Sequence, residues 1–370
     1  MANSTKASKA DDAKEPIPKT LGSSPYSDAV YHELSRLNGQ VNRMNKQTLI
    51  QKMRSLRLST EGSTDVLKKR LKNYYKKRKL ATINVTSSHK LYPYYVIVDF
   101  EATCEEVNPP DYPHEIIEFP AVLVNSEKQE IEDCFQSYCR PTVKSTLSKF
   151  CTELTGITQE QVDKADTFPE VLSRFEAWLV KHGLGTKYKY AIVTDGPWDM
   201  GRFLYGQCQL SGIPYPSFGK KWINIRKTFS NFYKSKRYCL KMMIDHLEIG
   251  FEGRPHCGID DARNIARVLI HLIADGANVH INERIHLTAS HNKMKVVTED
   301  GNQSERRVLS VKETEAAKDT MKWQVTAKFL EKTKDLNSVE CEDTNGEEIA
   351  DLSTDFSTCH ISQSSDDCSS

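Results

Sequence analysis

An apolar run from Tyr95 to Val98 leads directly into Asp99 and, two residues on, Glu101. β-Branched and aromatic residues in that order predict a strand. Residues i and i+2 of a strand share a face, so two carboxylates are set side by side with no apolar reason to be there. Together they can offer hard oxygen ligands to a divalent ion. A strand leaving the core with charge at its end explains Asp-x-Glu alone more simply. The surrounding pattern extends the constraint. Apolar runs predict strands at 117–124, 131–138 and 189–194. Helical spacing appears at 168–182 through Val171, Leu172, Phe175, Trp178 and Leu179, and at 260–274 through Ala262, Ile265, Leu269 and Leu272. Strands interleaved with helices indicate an α/β domain, here residues 93–285.

Two more polar groups stand out against that frame. Asp195-Gly196-Pro197-Trp198-Asp199 follows the run ending at Thr194. Asp-Gly-Pro is a turn signal, and an acid at the carboxyl end of a strand sits where open α/β sheets place ligands. Asp195 is expected to serve the turn and Asp199 the site. Then His256 lies in a loop, five residues before Asp261 at the start of the last helix. An imidazole left mobile by that loop can take a proton from water at neutral pH. Asp260 is expected to cap the helix; Asp261 either complements its dipole or serves the site.

Net charge is only +1, but the average conceals two opposite ends. Residues 66–79 hold eight Lys/Arg and no acid, and residues 340–370 hold nine Asp/Glu and no Lys/Arg. Leu49, Met53 and Leu56 recur at helical spacing behind Asn45, a good N-cap. After a polar break at 59–63, Leu67, Leu71 and Tyr74 repeat the pattern. A small helical domain with one strongly basic face is therefore expected over residues 28–80. Such a charge run is often only a solvated helix face, and it also reads as a nuclear localisation signal. Residues 1–27 have little to bury and are expected to be disordered. A linker is expected at 81–92, and a disordered, acidic, Ser-rich tail over 286–370.

Ten cysteines are present, but none forms paired C-x₂-C spacing; Cys134 and Cys139 are five apart. Structural zinc is not expected, and ordinary thiols in a reducing compartment are. No stretch of about 18 apolar residues predicts a membrane span, and no apolar N-terminal segment marks secretion. An intracellular protein without a membrane partner is the expectation.

The order Asp-x-Glu, a mid-domain Asp, then His-x₄-Asp resembles the DEDDh exonuclease superfamily. Closer still, residues 99–106 (DFEATCEE), 114–120 (HEIIEFP), 154–158 (LTGIT) and 253–258 (GRPHCG) resemble the Eri-1 family of 3′ exoribonucleases. That group includes the 3′ histone mRNA exonuclease. The basic hairpin resembles the SAP module that precedes the nuclease there. The resemblance covers about residues 30–285. It implies a ribonuclease H-like α/β domain with a mixed sheet flanked by helices, behind a small helical SAP domain.

It also implies a two-metal 3′→5′ exoribonuclease that releases nucleoside 5′-monophosphates. Asp99, Glu101, Asp199 and Asp261 would hold two Mg²⁺ roughly 4 Å apart, with Mn²⁺ able to substitute and zinc disfavoured by an all-carboxylate set. His256 would be the general base. Trp198 and Phe150 are expected to stack on terminal bases, supported by Leu154; core packing explains Phe150 and Leu154 equally well. Backbone groups from Phe100 to Thr103 would bind the terminal ribose. Arg43, Lys46, Lys69, Arg70, Lys72 and Lys76 are expected to contact RNA phosphates. Implied substrates are histone mRNA stem-loops, small interfering RNA duplexes and ribosomal RNA 3′ ends. Stem-loop-binding protein and the ribosome are implied partners, and nucleus, nucleolus and cytoplasm implied locations. A catalytically idle RNA- or DNA-binding adaptor and a DNA-directed exonuclease are the alternatives. Five filled catalytic positions weigh against the first.

Overall fold

Parity along β1 (Tyr94–Val98) separates two cores. Tyr95 and Ile97 enter one apolar cluster, with Val122, Val124, Ala191 and Val193. Val96 and Val98 enter the other, with Phe119, Ala121, Leu123 and Ile192. This is the two-residue period of a strand buried on both faces. The computed structural model describes residues 28–82, 92–109, 111–287, 293–298 and 303–307.

Among these residues, a mixed sheet runs in the order β2-β3-β1-β5-β6-β7-β8-β9, with β4 paired to β3. Its members are β2 (Glu101–Ala102), β3 (Ile116–Asn125), β4 (Glu130–Tyr138), β5 (Tyr190–Thr194), β6 (Lys221–Asn224), β7 (Glu283–Leu287), β8 (Lys293–Thr298) and β9 (Gln303–Arg307). β1 is antiparallel to β3 and parallel to β5, and β5 is parallel to β6. All ten residues of β3 are buried. Pro120 within it lacks an N–H and would break a ladder. It has no partner on the β1 side, where pairing stops at Val98↔Ala121, and stands opposite Gln136 of β4 on the other.

Helices cover both faces. After α1 (Asp28–Arg43), α2 (Lys46–Ser55) and α3 (Thr64–Thr82) at the N-terminal end come α4 (Lys149–Thr155), α5 (Gln159–Asp163) and α6 (Phe168–Lys181). α6 buries Phe168, Val171, Leu172, Phe175, Trp178 and Leu179 on the second cluster, as the spacing predicted. α7 (Tyr205–Leu210) follows a π-helical turn at Asp199–Leu204. α8 (Ile225–Tyr233), α9 (Leu240–Leu247) and α10 (Gly258–Asp275) pack on the first cluster. Residues 293–298 and 303–307, expected to be tail, are strands that extend the sheet. From residue 308 onward the expected tail lies outside the described residues, as do residues 1–27 and 83–91. No helix among the described residues is long and apolar enough to cross a membrane.

The N-terminal module consists of α1, α2 and α3. Only the last two were expected, although Val30, Leu34, Leu37 and Val41 repeat at the same spacing along α1. Asn45 caps α2, its side chain accepting from Thr48 N–H at 2.9 Å. Val41, Leu49, Met53, Leu67 and Leu71 form the module's own core. Val66 and Arg70, four apart on α3 and so on one face, turn instead to the α/β domain. Val66 joins its core, and Arg70 is 6% exposed and bonded to Asp275 of α10. This corrects one sequence expectation. Arg70 is unavailable to RNA phosphates because its guanidinium also donates to the Ser59 and Glu61 carbonyls.

Buried Glu115 anchors the loop leading to α4. Its carboxylate accepts from the backbone N–H of Thr142 (2.6 Å), Val143 (2.9 Å) and Lys144 (2.6 Å). Hydrogen bonds to a charged group contribute about 1.5–3 kcal/mol each, with overlap among neighbours. Glu115→Ala is therefore expected to lower unfolding free energy by about 2–3 kcal/mol in urea titration. A loss within about 0.5 kcal/mol, the range of an ordinary surface change, would mean the loop is held elsewhere.

Candidate active site

β1 ends at Val98, and the chain resumes pairing at Glu101 on β2, where a register shift follows before Ala102. Asp99 and Glu101 are thus not successive positions of one regular strand, as the sequence suggested. Such an irregularity re-aims side chains, and the two still converge. One carboxylate oxygen from each of Asp99, Glu101 and Asp261 lies within 4.8 Å of the others. Asp261 reaches them from the first turn of α10, whose start lies against the end of β1. A Cβ on Gly258 would stand 2.9 Å from the Asp99 carbonyl and 2.9 Å from Pro120 Cγ, so only glycine allows that approach.

Asp199 lies outside that trio but beside it. It is buried at the start of the π-helical turn and accepts from the Phe100 N–H at 3.0 Å through one oxygen. Asp195 forms an ion pair with Arg226 at 2.6 Å as well as standing in the turn. His256 sits in the left-handed region at φ 60°, and its N–H donates to Asp261 Oδ2 at 2.8 Å. The loop expected to leave His256 mobile is tied to the acid it serves. Asp260 does not cap α10. The N-cap position is Cys257, without a side-chain cap bond, and Asp260 instead accepts from Arg254 N–H at 3.0 Å.

Gathered acids without counter-charge resist ionisation. Burial pushes the Asp99 carboxyl well up, reinforced by Asp199, Asp261 and Glu101. Burial does the same for Glu101, with Asp261 and Glu118 adding to it. Asp199 and Asp261 are each pushed up to about 7, chiefly by burial, against the opposing pull of the Phe100 and His256 N–H groups. Partial enclosure of the imidazole, then the Arg254 charge, holds His256 below the ordinary histidine value. An all-oxygen donor set with unbalanced negative charge fits hard divalent cations.

The expected nucleotide contacts fall into two groups. Phe150 and Leu154 are half-buried on α4, and Trp198 is half-buried with the Arg202 guanidinium 4.2 Å from its ring centre. Phe100 and Thr103 are instead built into the site's walls. Phe100 is 5% exposed and packs edge-on to Phe119. The N–H of Phe100 is taken by Asp199, and that of Thr103 by the Glu115 carbonyl. Thr103 Oγ1 accepts from Glu115 N–H at 3.0 Å. Sequence reasoning missed Glu118, which accepts from Gly258 N–H at 3.2 Å and from Gln136 Nε2 at 2.8 Å. The signal was an acid inside the apolar run of β3.

Comparison with known proteins agrees with this geometry. The exonuclease family RNase_T matches residues 96–269. Human 3′-5′ exoribonuclease 1 is 54% identical over 269 residues, covering 72% of this chain and 77% of that protein. The chain belongs to the Eri-1 family of 3′-5′ exoribonucleases. Human ERI1 exoribonuclease 3 is 42% identical over 180 residues, 48% of this chain and 53% of that one. A solved 3′-exonuclease recognising the 3′ end of a histone mRNA stem-loop matches with TM-score 0.53 and 52% identity, over 71% of this chain and 94% of that one. The nuclease domain of 3′hExo, a DEDDh family member bound to rAMP, matches with TM-score 0.52 and 56% identity, over 53% of this chain and 98% of that one. This Eri-1 family enzyme is thus a DEDDh exonuclease, and its acidic cluster belongs to a class that uses divalent metal ions.

Proposed function

We propose that this exoribonuclease trims the 3′ ends of RNA stem-loops and of duplexes with short 3′ overhangs, using Mg²⁺ held by Asp99, Glu101, Asp199 and Asp261. The convergence of Asp99, Glu101 and Asp261 carries the reading. Bound there, paired divalent cations supply Lewis-acid activation of water and neutralise charge at the leaving 3′ oxygen. The chain's own residues do the rest. The first turn of α10 fixes Asp261, and Asp261 in turn fixes the His256 backbone. His256, whose surroundings favour its neutral form, takes the proton of the attacking water on its imidazole. The Phe100 N–H holds one Asp199 oxygen at the residue next to Asp99. Phe150, Leu154 and Trp198 seat the terminal bases by stacking and apolar contact.

We read the N-terminal module as SAP-like and as a grip on the phosphate backbone. Lys69, Lys72 and Lys76 on α3 stand near Lys234, just past α8. Burial first, then the Lys234, Lys76 and Lys72 ammonium groups, lowers the Lys69 pKa. Like charges gathered across that seam favour a polyanion. Lys46, expected among the contacts, pairs with Glu248 at 2.6 Å, and Arg43 is exposed.

The purified protein is expected to release nucleoside 5′-monophosphates from a 3′-overhang RNA stem-loop in Mg²⁺ and none in EDTA. Matched DNA is expected to react more slowly. His256→Ala is expected to lower kcat by about 10²–10⁴-fold while calorimetry still detects Mg²⁺ binding. RNA binding without cleavage, in Mg²⁺ and in Mn²⁺, would favour the adaptor reading. Equal rates on RNA and DNA would remove the RNA preference.

A further inference from the structure

We infer that Arg254 is a positioning residue that ties the His256 loop to α4, so that the helix seating the RNA 3′ end also sets the place of the general base. The inference rests on the proposed exonuclease reading. Arg254 has its backbone N–H on Asp260 Oδ2 at 3.0 Å, while His256, two residues on, has its N–H on Asp261 Oδ2 at 2.8 Å. The loop is therefore pinned to α10 at both residues, and Glu252 just before them exchanges hydrogen bonds with Asn264 of the same helix. The Arg254 side chain ties it to a second element. Arg254 Nη2 donates to the Glu153 carbonyl at 2.6 Å and to the Leu154 carbonyl at 3.1 Å. These oxygens lie in the last turn of α4, where a helix leaves its carbonyls unpaired and favours a cation. The guanidinium reaches them by lying across Gly156, in the left-handed region at φ 74° as the C-cap of α4. A Cβ at Gly156 would sit 1.7 Å from Arg254 Nη1. Gly156 therefore ends the helix and also leaves room for the guanidinium.

The consequence is mechanical. α4 bears Phe150 and Leu154, the residues proposed to seat the terminal nucleotide. His256 hangs from a loop whose only guanidinium fork grips that same helix. A terminal nucleotide that presses on α4 shifts the anchor of the base. His256 sits at a strained φ for a non-glycine residue, so the loop needs external restraint to hold it there.

Steady-state kinetics on the 3′-overhang RNA stem-loop test this in the full-length protein, with thermal melts confirming that each variant folds. Arg254→Met and Gly156→Ala are each expected to lower kcat about 10–100-fold, as misplacement of a reacting group by about 1 Å does. KM is expected to move by less than about threefold, since no contact to RNA is lost. Arg254→Lys, which can still reach a carbonyl, is expected to recover much of the rate. In a His256→Ala background, Arg254→Met is expected to cost nothing further, because it acts through His256. A multiplicative loss in that background, a rise in KM with kcat intact, or a rate within about twofold of wild type would each overturn the assignment. Leu154→Ala separates the two readings. If it leaves kcat and KM unchanged while Arg254→Met still acts only through His256, the tether stands and the seating role of α4 fails. A wild-type protein that releases no nucleotide removes both.

Discussion

Asp99→Asn is expected to abolish RNA hydrolysis and, at the same time, to raise the melting temperature of the EDTA-treated protein. The two effects share a cause. Asp99, Glu101 and Asp261 bring oxygens within 4.8 Å, and burial together with their neighbours pushes the Asp99 carboxyl well up. Without metal, that arrangement destabilises the fold. An amide keeps the shape and removes one charge. Relief of about 1–2 kcal/mol corresponds to roughly 2–8 °C in a domain of this size. Catalysis moves the other way, because the cation site loses a ligand. A drop in kcat of at least about 10²–10³-fold is expected, the scale seen when one preorganised electrostatic group is removed. Mg²⁺ should raise the wild-type melting temperature, by the linkage between ligand binding and stability, and raise that of the variant much less. A variant that melts below wild type in EDTA would refute the repulsion argument. Full activity in the variant would refute the site.

The second large effect lies far from the chemistry. Asp275→Asn is expected to destabilise the protein by about 3–5 kcal/mol, the cost of leaving a buried charge without its partner. Arg70 and Asp275 are 6% and 2% exposed. Asp275 also accepts from Tyr233 Oη at 2.7 Å, and its carbonyl accepts from Asn73 Nδ2 at 2.9 Å. These bonds join α3, α8 and α10, the elements that hold the N-terminal module on the nuclease domain. Melting is expected to fall by roughly 6–20 °C. Affinity for the RNA stem-loop should weaken as well, because Lys69, Lys72 and Lys76 ride on the same helix as Arg70. Replacing both partners by apolar residues, Arg70→Met with Asp275→Leu, should recover part of the loss. A single variant that melts with wild type would show that the other contacts, Val66 packing, Ser63 N–H on the His246 carbonyl and Lys46 on Glu248, suffice to hold the module.

Much of the catalytic centre was legible because its residues violate the pattern around them. Asp99 and Glu101 follow an unbroken apolar run, and Asp261 opens a strongly periodic helix. Each alone had a plainer reading, a charged strand end or a helix dipole, and only the elements taken together in that order pointed to a shared metal site. The core was legible for the converse reason. Strand parity at Tyr95–Val98 and helical spacing at Val171–Leu179 repeat what the packing needs, and tertiary contacts only ratified it. Other features were not local properties. Arg70 read as one more member of a basic face until α10 supplied Asp275, since the sequence does not show which side of α3 another helix will cover. Asp260 looked like an N-cap, yet the chain reversal at Gly253–His256 brought Arg254 to it first. Glu118 and Arg254 stand in quoted motifs, but what they do became visible only through partners 140 and about 100 residues away. The sequence alone determined which residues could do the chemistry and which faces must be buried, because periodicity and charge are properties of neighbours along the chain. Tertiary structure decided which charges are spent on the fold and which remain for RNA, because that depends on partners distant in sequence.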